Sequence, residues 1–219
     1  MFHHTHPYKP FIPENATKLI VGTLPPPRFT HGDLKPDDVN FCYGSRDGFL
    51  WPILDRLFDL NLKYENTEAA IDQRKEFLLK RGIGICDVVE SSRRSKIDAS
   101  DLGMKDVELR NLISILRNNP LIKTLLFTGG NSKNGPEYFF RRHLRELGEG
   151  IKLKVISNEV PRVHQFLLDG RLINTVSLTA PSGSANRAIG STDLYKSLKT
   201  KDPKFNTIDF RILQYNGYF

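Results

Sequence analysis

The chain has 219 residues, with 32 Lys and Arg against 25 Asp and Glu, a formal net charge of +7 at pH 7 and a pI near 9.4. A 39% share of AVILMFWYC residues excludes disorder as the main state, and two cysteines, Cys42 and Cys86, are too few for an iron–sulfur cluster or a four-cysteine zinc site, so reduced thiols are expected. No apolar run approaches the ~18 residues of a membrane span and the first residues lack a leader pattern, so a cytoplasmic protein is expected, with a positive surplus that suits either a polyanionic partner or an ordinary basic enzyme.

Along the chain there is no repeat, no low-complexity tract and no long linker, which reads as one domain over residues 1–219. Four short apolar runs are predicted as buried parallel strands: residues 18–23 (KLIVGT), 83–88 (IGICDV), 123–128 (KTLLFT) and 174–179 (NTVSLT). Helical patterns separate them. The first long helix is expected over 49–58. Residues 67–80 place Ala70, Arg74, Phe77 and Leu78 in helical register and stop at Gly82, and residues 105–118 repeat the pattern up to Pro120. A helix over 136–147 has Pro at its first turn and Gly148 past its end. Asp169-Gly170 between two apolar runs predicts an antiparallel hairpin leading into the fourth strand, and 207–215 is read as a last helix. Strands alternating with helices give an α/β fold, a sheet covered on both faces.

Ligands of such sheets bind outside the carboxyl ends of the strands. That rule singles out the Gly22-Thr23-Leu24-Pro25-Pro26-Pro27 turn, the aromatic and glycine-rich stretch 41–52 (FCYGSRDGFLWP), and the small-residue loop 179–187 (TAPSGSANR). The first reads equally as a stiff surface connection and the second as a hydrophobic lid. In the third, Gly and small hydroxyl residues let backbone N–H groups approach a phosphate. His3, His4 and His6 lack a partner carboxylate or Cys in sequence and read as a lightly packed start. The 93–96 and 141–143 basic clusters read as solvated faces at least as readily as phosphate contacts.

Taken in order, HPYKPFIPENATKLIVGTLPPP, CYGSRDGFLW, RGIGICDVV, LLFTGG and LTAPSGSANRAIG resemble the uracil-DNA glycosylase superfamily, most closely its mismatch-specific and hypoxanthine-DNA glycosylase branches. The resemblance implies a three-layer αβα sandwich with a mainly parallel four-stranded sheet of order 2-1-3-4 plus the hairpin. It also implies a monofunctional hydrolase of base-excision repair that works as a monomer, without metal or cofactor. Its partner is DNA with a damaged or mismatched base. Such an enzyme flips one nucleotide out of the stack and hydrolyses its N-glycosidic bond.

The roles carry over position by position. Tyr43 stands where the family stacks an aromatic ring on the flipped base, with Phe41 as its expected neighbour; Gly22 and Thr23 lie on the first motif, and Thr128 where some branches read the base edge. Pro181, Ser182, Gly183 and Ser184 fall on the motif that pinches the DNA backbone, followed by Asn186 and Arg187. In this chain Leu24 replaces the Asn of the mismatch-specific branch, and Gly48 falls at the Asn column of the hypoxanthine branch, with Asp47 one residue before it. A carboxylate can orient and deprotonate water as an amide can orient it, which makes Asp47 the candidate catalytic group and Asp87 the reserve. Asp47 reads equally as a cap of the helix that follows, and Asp87 as a cap of its loop. The rival expectations are a glycosylase-fold nucleic-acid-binding protein without catalysis, motivated by Leu24 and Gly48, and an enzyme of free nucleosides or nucleotides. If DNA is the partner, the positive surplus is expected around the Tyr43 and Ser182 loops.

Overall fold

The structure, a computed structural model, describes residues 1–98 and 100–219. Its elements run β1 (Phe2–Thr5), β2 (Lys18–Gly22), α1 (Pro27–His31), α2 (Leu50–Phe58), α3 (Glu68–Arg81), β3 (Ile83–Asp87), β4 (Val89–Arg94), β5 (Lys105–Leu109) and α4 (Leu112–Asn118). After these come β6 (Thr124–Phe127), α5 (Pro136–Leu147), β7 (Lys154–Ser157), β8 (Arg162–Leu168), β9 (Arg171–Ser177), α6 (Asn186–Ser191), α7 (Asp193–Lys201) and α8 (Thr207–Tyr215).

The main sheet has the order β3-β2-β6-β9-β8-β7; the β3-β2, β2-β6 and β6-β9 pairs are parallel and the last two antiparallel. It therefore has six strands: β7, which was not expected, pairs with β8 at the edge, and the hairpin expected at Asp169-Gly170 joins β8 to β9. Both turn residues take positive φ (48° and 78°), the conformation that a two-residue hairpin turn requires. Side chains alternate across β2: Leu19 and Val21 join a core with Leu112, Leu116, Phe139 and Phe140 of α4 and α5, whereas Ile20 joins Trp51, Leu54, Phe77 and Tyr215 of α2, α3 and α8. Helices thus cover both faces. No helix of the described residues is long and apolar enough to cross a membrane.

Two sequence expectations change. Residues 105–118 are not one helix, because Lys105–Leu109 pairs with β4 and only Leu112–Asn118 is helical. Val107 and Leu109 also fit a strand's period of two, and the Asn111 side chain accepts from Ser114 N–H and starts the helix there. Nor are the first residues lightly packed. β1 pairs antiparallel with β4 in a second, three-stranded sheet, β1-β4-β5, and His4 and His6 are buried.

The packing also places the loop of interest. Trp51 of α2 is 1% exposed, its indole N–H donates to the Cys42 carbonyl at 2.8 Å, and the Arg74 guanidinium lies 5.3 Å from its ring centre. This bond fixes the chain one residue before Tyr43. Cys42 and Cys86 are free and buried, and burial pushes both thiols up from their ordinary range, so neither is a ready nucleophile.

Candidate functional site

β2 ends at Gly22, β3 ends at Asp87, and Thr128 follows β6, so three neighbouring parallel strands deliver these residues to one place. Gly22 N–H donates to Asp87 Oδ1 at 3.1 Å. Tyr43 reaches the same spot from the loop before α2. Its φ of 58° belongs to a tight turn in which Gly44 N–H donates to the Phe41 carbonyl at 2.9 Å. The Tyr43 hydroxyl is hydrogen-bonded to Thr128 Oγ1 at 2.8 Å, and Thr128 Oγ1 also lies 3.4 Å from the Val21 carbonyl. A Cβ on Gly22 would stand 1.9 Å from the Tyr43 hydroxyl and 2.6 Å from Asp87 Oδ1. Only glycine permits that approach. Burial, reinforced by the neighbouring Asp87 charge, pushes the Tyr43 phenol well above its ordinary range and keeps it neutral.

Asp87 has a second partner that the sequence did not suggest. His6 Nε2 lies 2.7 Å from Asp87 Oδ2, with both side chains buried, while His6 Nδ1 accepts the Tyr8 N–H at 3.0 Å. With Nδ1 an acceptor, the ring proton sits on Nε2 and is donated to the carboxylate. The only local sign was a His on a strand-like HTH segment. Its partner lies 81 positions away, and pairing at that range is invisible along the chain.

Thr23 turns to another partner, its hydroxyl donating to Asp101 Oδ1 at 2.8 Å. Burial pushes the Asp101 carboxyl up to about 6 against the opposing pull of the Thr23 bond and the Arg94 charge. Leu24 packs in the core under the sheet at 8% exposure, so at this position of the first motif there is no polar group facing the site.

Phe41 does not flank Tyr43 as expected. The chain turns at 41–43 instead of extending, and Phe41 lies in the core against Phe11 and Trp51, with ring centres 6.0 and 6.2 Å apart. Asp47 lies at the rim, its side chain 66% exposed and 3.4 Å from Arg28 Nη2. It does not cap α2, whose N-cap is Phe49 without a side-chain cap. Arg28, from α1 just after β2, holds the whole loop: it donates to both Asp38 oxygens at 2.7 and 2.8 Å and to Ser45 Oγ at 2.8 Å.

The two candidate loops meet. Gly48 and Ser182 form an antiparallel bridge, and Phe49 N–H donates to the Pro181 carbonyl at 2.9 Å. Pro181 is buried; Gly183 and Ser184 are exposed, and the Ser182 and Ser184 hydroxyls are bonded at 2.8 Å. Arg211, fully buried on α8, anchors this loop by donating to the carbonyls of Ala180 and Ser182 at 2.9 and 2.7 Å and to Asn186 Oδ1 at 3.0 Å. Arg211 was missed, although an Arg on the apolar face beside Phe210 was its signal. Asn186 is thereby committed inward, and Arg187 is exposed.

Gly22, Tyr43, Asp87 and Thr128 therefore cluster at the strand ends, and the loops that carry Asp47 and residues 181–184 are bridged to each other at Gly48 and Ser182. No protein-family model, no curated protein and no solved structure matches this chain, so what the site can do follows from its own geometry.

Proposed function

We propose that the chain is a monofunctional DNA glycosylase of the uracil-DNA glycosylase superfamily, which removes a deaminated or mismatched base of the uracil or hypoxanthine class by hydrolysing its N-glycosidic bond. The observation that carries this reading is the meeting of Gly22, Tyr43, Asp87 and Thr128 at the carboxyl ends of three adjacent parallel strands, beneath two loops joined at Gly48 and Ser182. The mainly parallel sheet, with β3-β2-β6-β9 as its parallel run and helices on both faces, supports it.

Depth divides the work between the two carboxylates. A flipped base enters far enough to lie along the Tyr43 ring, while its sugar and the attacking water stay at the mouth. Asp87, 5% exposed, then meets the base edge and accepts from its N–H groups, whereas the exposed Asp47 is the group within reach of water. In the reaction the C1′–N bond breaks and its electron pair leaves with the base. Water oxygen bonds C1′, and the water proton passes to Asp47. Thr128 holds the Tyr43 hydroxyl and acts as a positioning residue.

Oligonucleotides carrying uracil, hypoxanthine or xanthine test the proposal, with base release read as alkali-labile strand breaks. The wild type is expected to release at least one of them, and Asp47→Ala to slow release by about 10²- to 10⁴-fold, the usual worth of a general base. An unimpaired Asp47→Ala variant removes Asp47 from the mechanism. Release of none of the three, together with salt-sensitive DNA binding, would favour a binding protein without catalysis, the reading that Leu24 in the core makes the rival.

A further inference from the structure

Beside the His6–Asp87 pair lies a concavity. A groove of about 600 Å³ runs between the 6–10 segment and the start of α4, and is lined by His6, Tyr8, Lys9, Arg110, Asn111 and Ser114. Arg110 is 8% exposed. Its Nε pairs with Glu90 and its Nη2 donates to the Tyr8 carbonyl at 2.7 Å, but Nη1 is buried and has no partner among the described residues. A buried donor left unpaired costs about 1–3 kcal/mol, and Arg110 Nη1 is one of nine buried, unpaired side-chain N or O atoms among the described residues, the one that belongs to a residue lining this groove.

The other polar groups of the groove point to what would use it. Lys9 is exposed and makes no ion pair among the described residues, and Ser114 Oγ makes no hydrogen bond among them. Asn111 spends its oxygen on Ser114 N–H at 2.8 Å and leaves its NH₂ free. Guanidinium, ammonium, amide NH₂ and hydroxyl are all donors, and the two cations outweigh the single Glu90 carboxylate. Four donor groups lining one groove suit a phosphate, which offers acceptor oxygens in several directions, better than a planar carboxylate. We infer that this groove binds a phosphate group, supplied by a nucleic-acid backbone or by a free nucleotide, through Arg110, Lys9, Asn111 and Ser114. Because His6 lines the groove and also holds Asp87, the phosphate would sit one side chain away from the base site.

Calorimetric titration of the full chain with inorganic phosphate, acetate, dCMP and a 12-nucleotide single strand tests this. Phosphate and dCMP are expected to bind saturably and acetate not, and Lys9→Glu, which touches no structural contact of Arg110, to weaken both at least about tenfold. Arg110→Gln, checked for folding by circular dichroism, is expected to do the same. If the single strand weakens in step and its salt slope drops by about one in Lys9→Glu, the source is the nucleic-acid backbone. If only dCMP weakens, the source is a free nucleotide. The inference is overturned if neither phosphate nor dCMP binds tighter than about 10 mM, or if both variants bind as the wild type does. Base release measured on the same proteins reports separately on the glycosylase reading, so either can fail alone.

Discussion

At Gly22 the chain leaves out a side chain so that a phenol and a carboxylate can close over the strand end. A methyl group there would lie 1.9 Å from the Tyr43 hydroxyl and 2.6 Å from Asp87 Oδ1, and neither neighbour is free to give way, since Tyr43 is tied to Thr128 and Asp87 to His6. Gly22→Ala is therefore expected to lower stability by about 1–3 kcal/mol, the cost of overpacking a close-fitted interior, and to weaken binding of a lesion-bearing oligonucleotide. Urea midpoints and oligonucleotide affinity measure the two effects; a midpoint equal to that of the wild type would mean that Tyr43 swings aside freely. At this scale Gly22, Asp87 and Thr128 were legible as strand-end residues and Tyr43 as part of the loop before α2, and the structure brings the four together. The sequence could not show that Phe41 turns inward, which depends on the Cys42–Trp51 bond, or that His6 and Arg211 arrive from remote segments.

Elements whose reasons lie within their own residues were legible. α5 and α8 begin and end where Pro136 and Gly148, and the Asn206 capping box, place them, and the Asp169-Gly170 turn set the β8–β9 hairpin. β1 and β4 were not legible, because their inward residues are polar: His4, Ser92 and Arg94 are each 0% exposed, a pattern that alternation of apolar residues cannot reveal. His4 Nδ1 accepts from Arg94 Nε at 2.9 Å. Burial, with the Arg94 charge second, pulls the His4 pKa from 6.5 down to about 3. The unfolded chain then binds a proton that the folded chain refuses between those values. Stability is fully present above pH 6.5 and falls as the pH drops toward 3, by about 2 kcal/mol at pH 5 from this group alone. His4→Gln keeps an acceptor for Arg94 and cannot titrate. Urea midpoints at pH 7.5 and pH 5 should therefore fall less in this variant than in the wild type, and equal falls would show that His4 charges without opening the β1–β4 pair.

For the molecule as a whole, composition could not disclose where the net charge of +7 lies. Around Tyr43 there is no surplus: Arg28 is taken up by Asp38 and Asp47, and Arg46 lies 3.9 Å from Asp37. Exposed cations do follow the 181–184 loop, among others elsewhere on the surface: Arg187 on α6, Lys196 (3.6 Å from Asp193), Lys199 and Lys201 on α7, and Lys204 beyond. At the other end, where the parallel strands begin, stand Lys80 and Lys123. If DNA lies across the strand ends, the α6–α7 arm touches its backbone and the far cations do not. Lys196→Glu with Lys201→Glu should then reduce the slope of log affinity against log salt by about two and weaken DNA binding roughly 10- to 100-fold at physiological salt. Base release at saturating enzyme should stay within about twofold, because phosphate contacts position the duplex and take no part in bond cleavage. The pair Lys80→Glu with Lys123→Glu removes the same charge from the opposite end and is expected to leave the slope unchanged. Equal losses in the two double variants would mean that DNA is held by the overall charge alone, and that the arm following Ser182 has no part in seating the strand over the site.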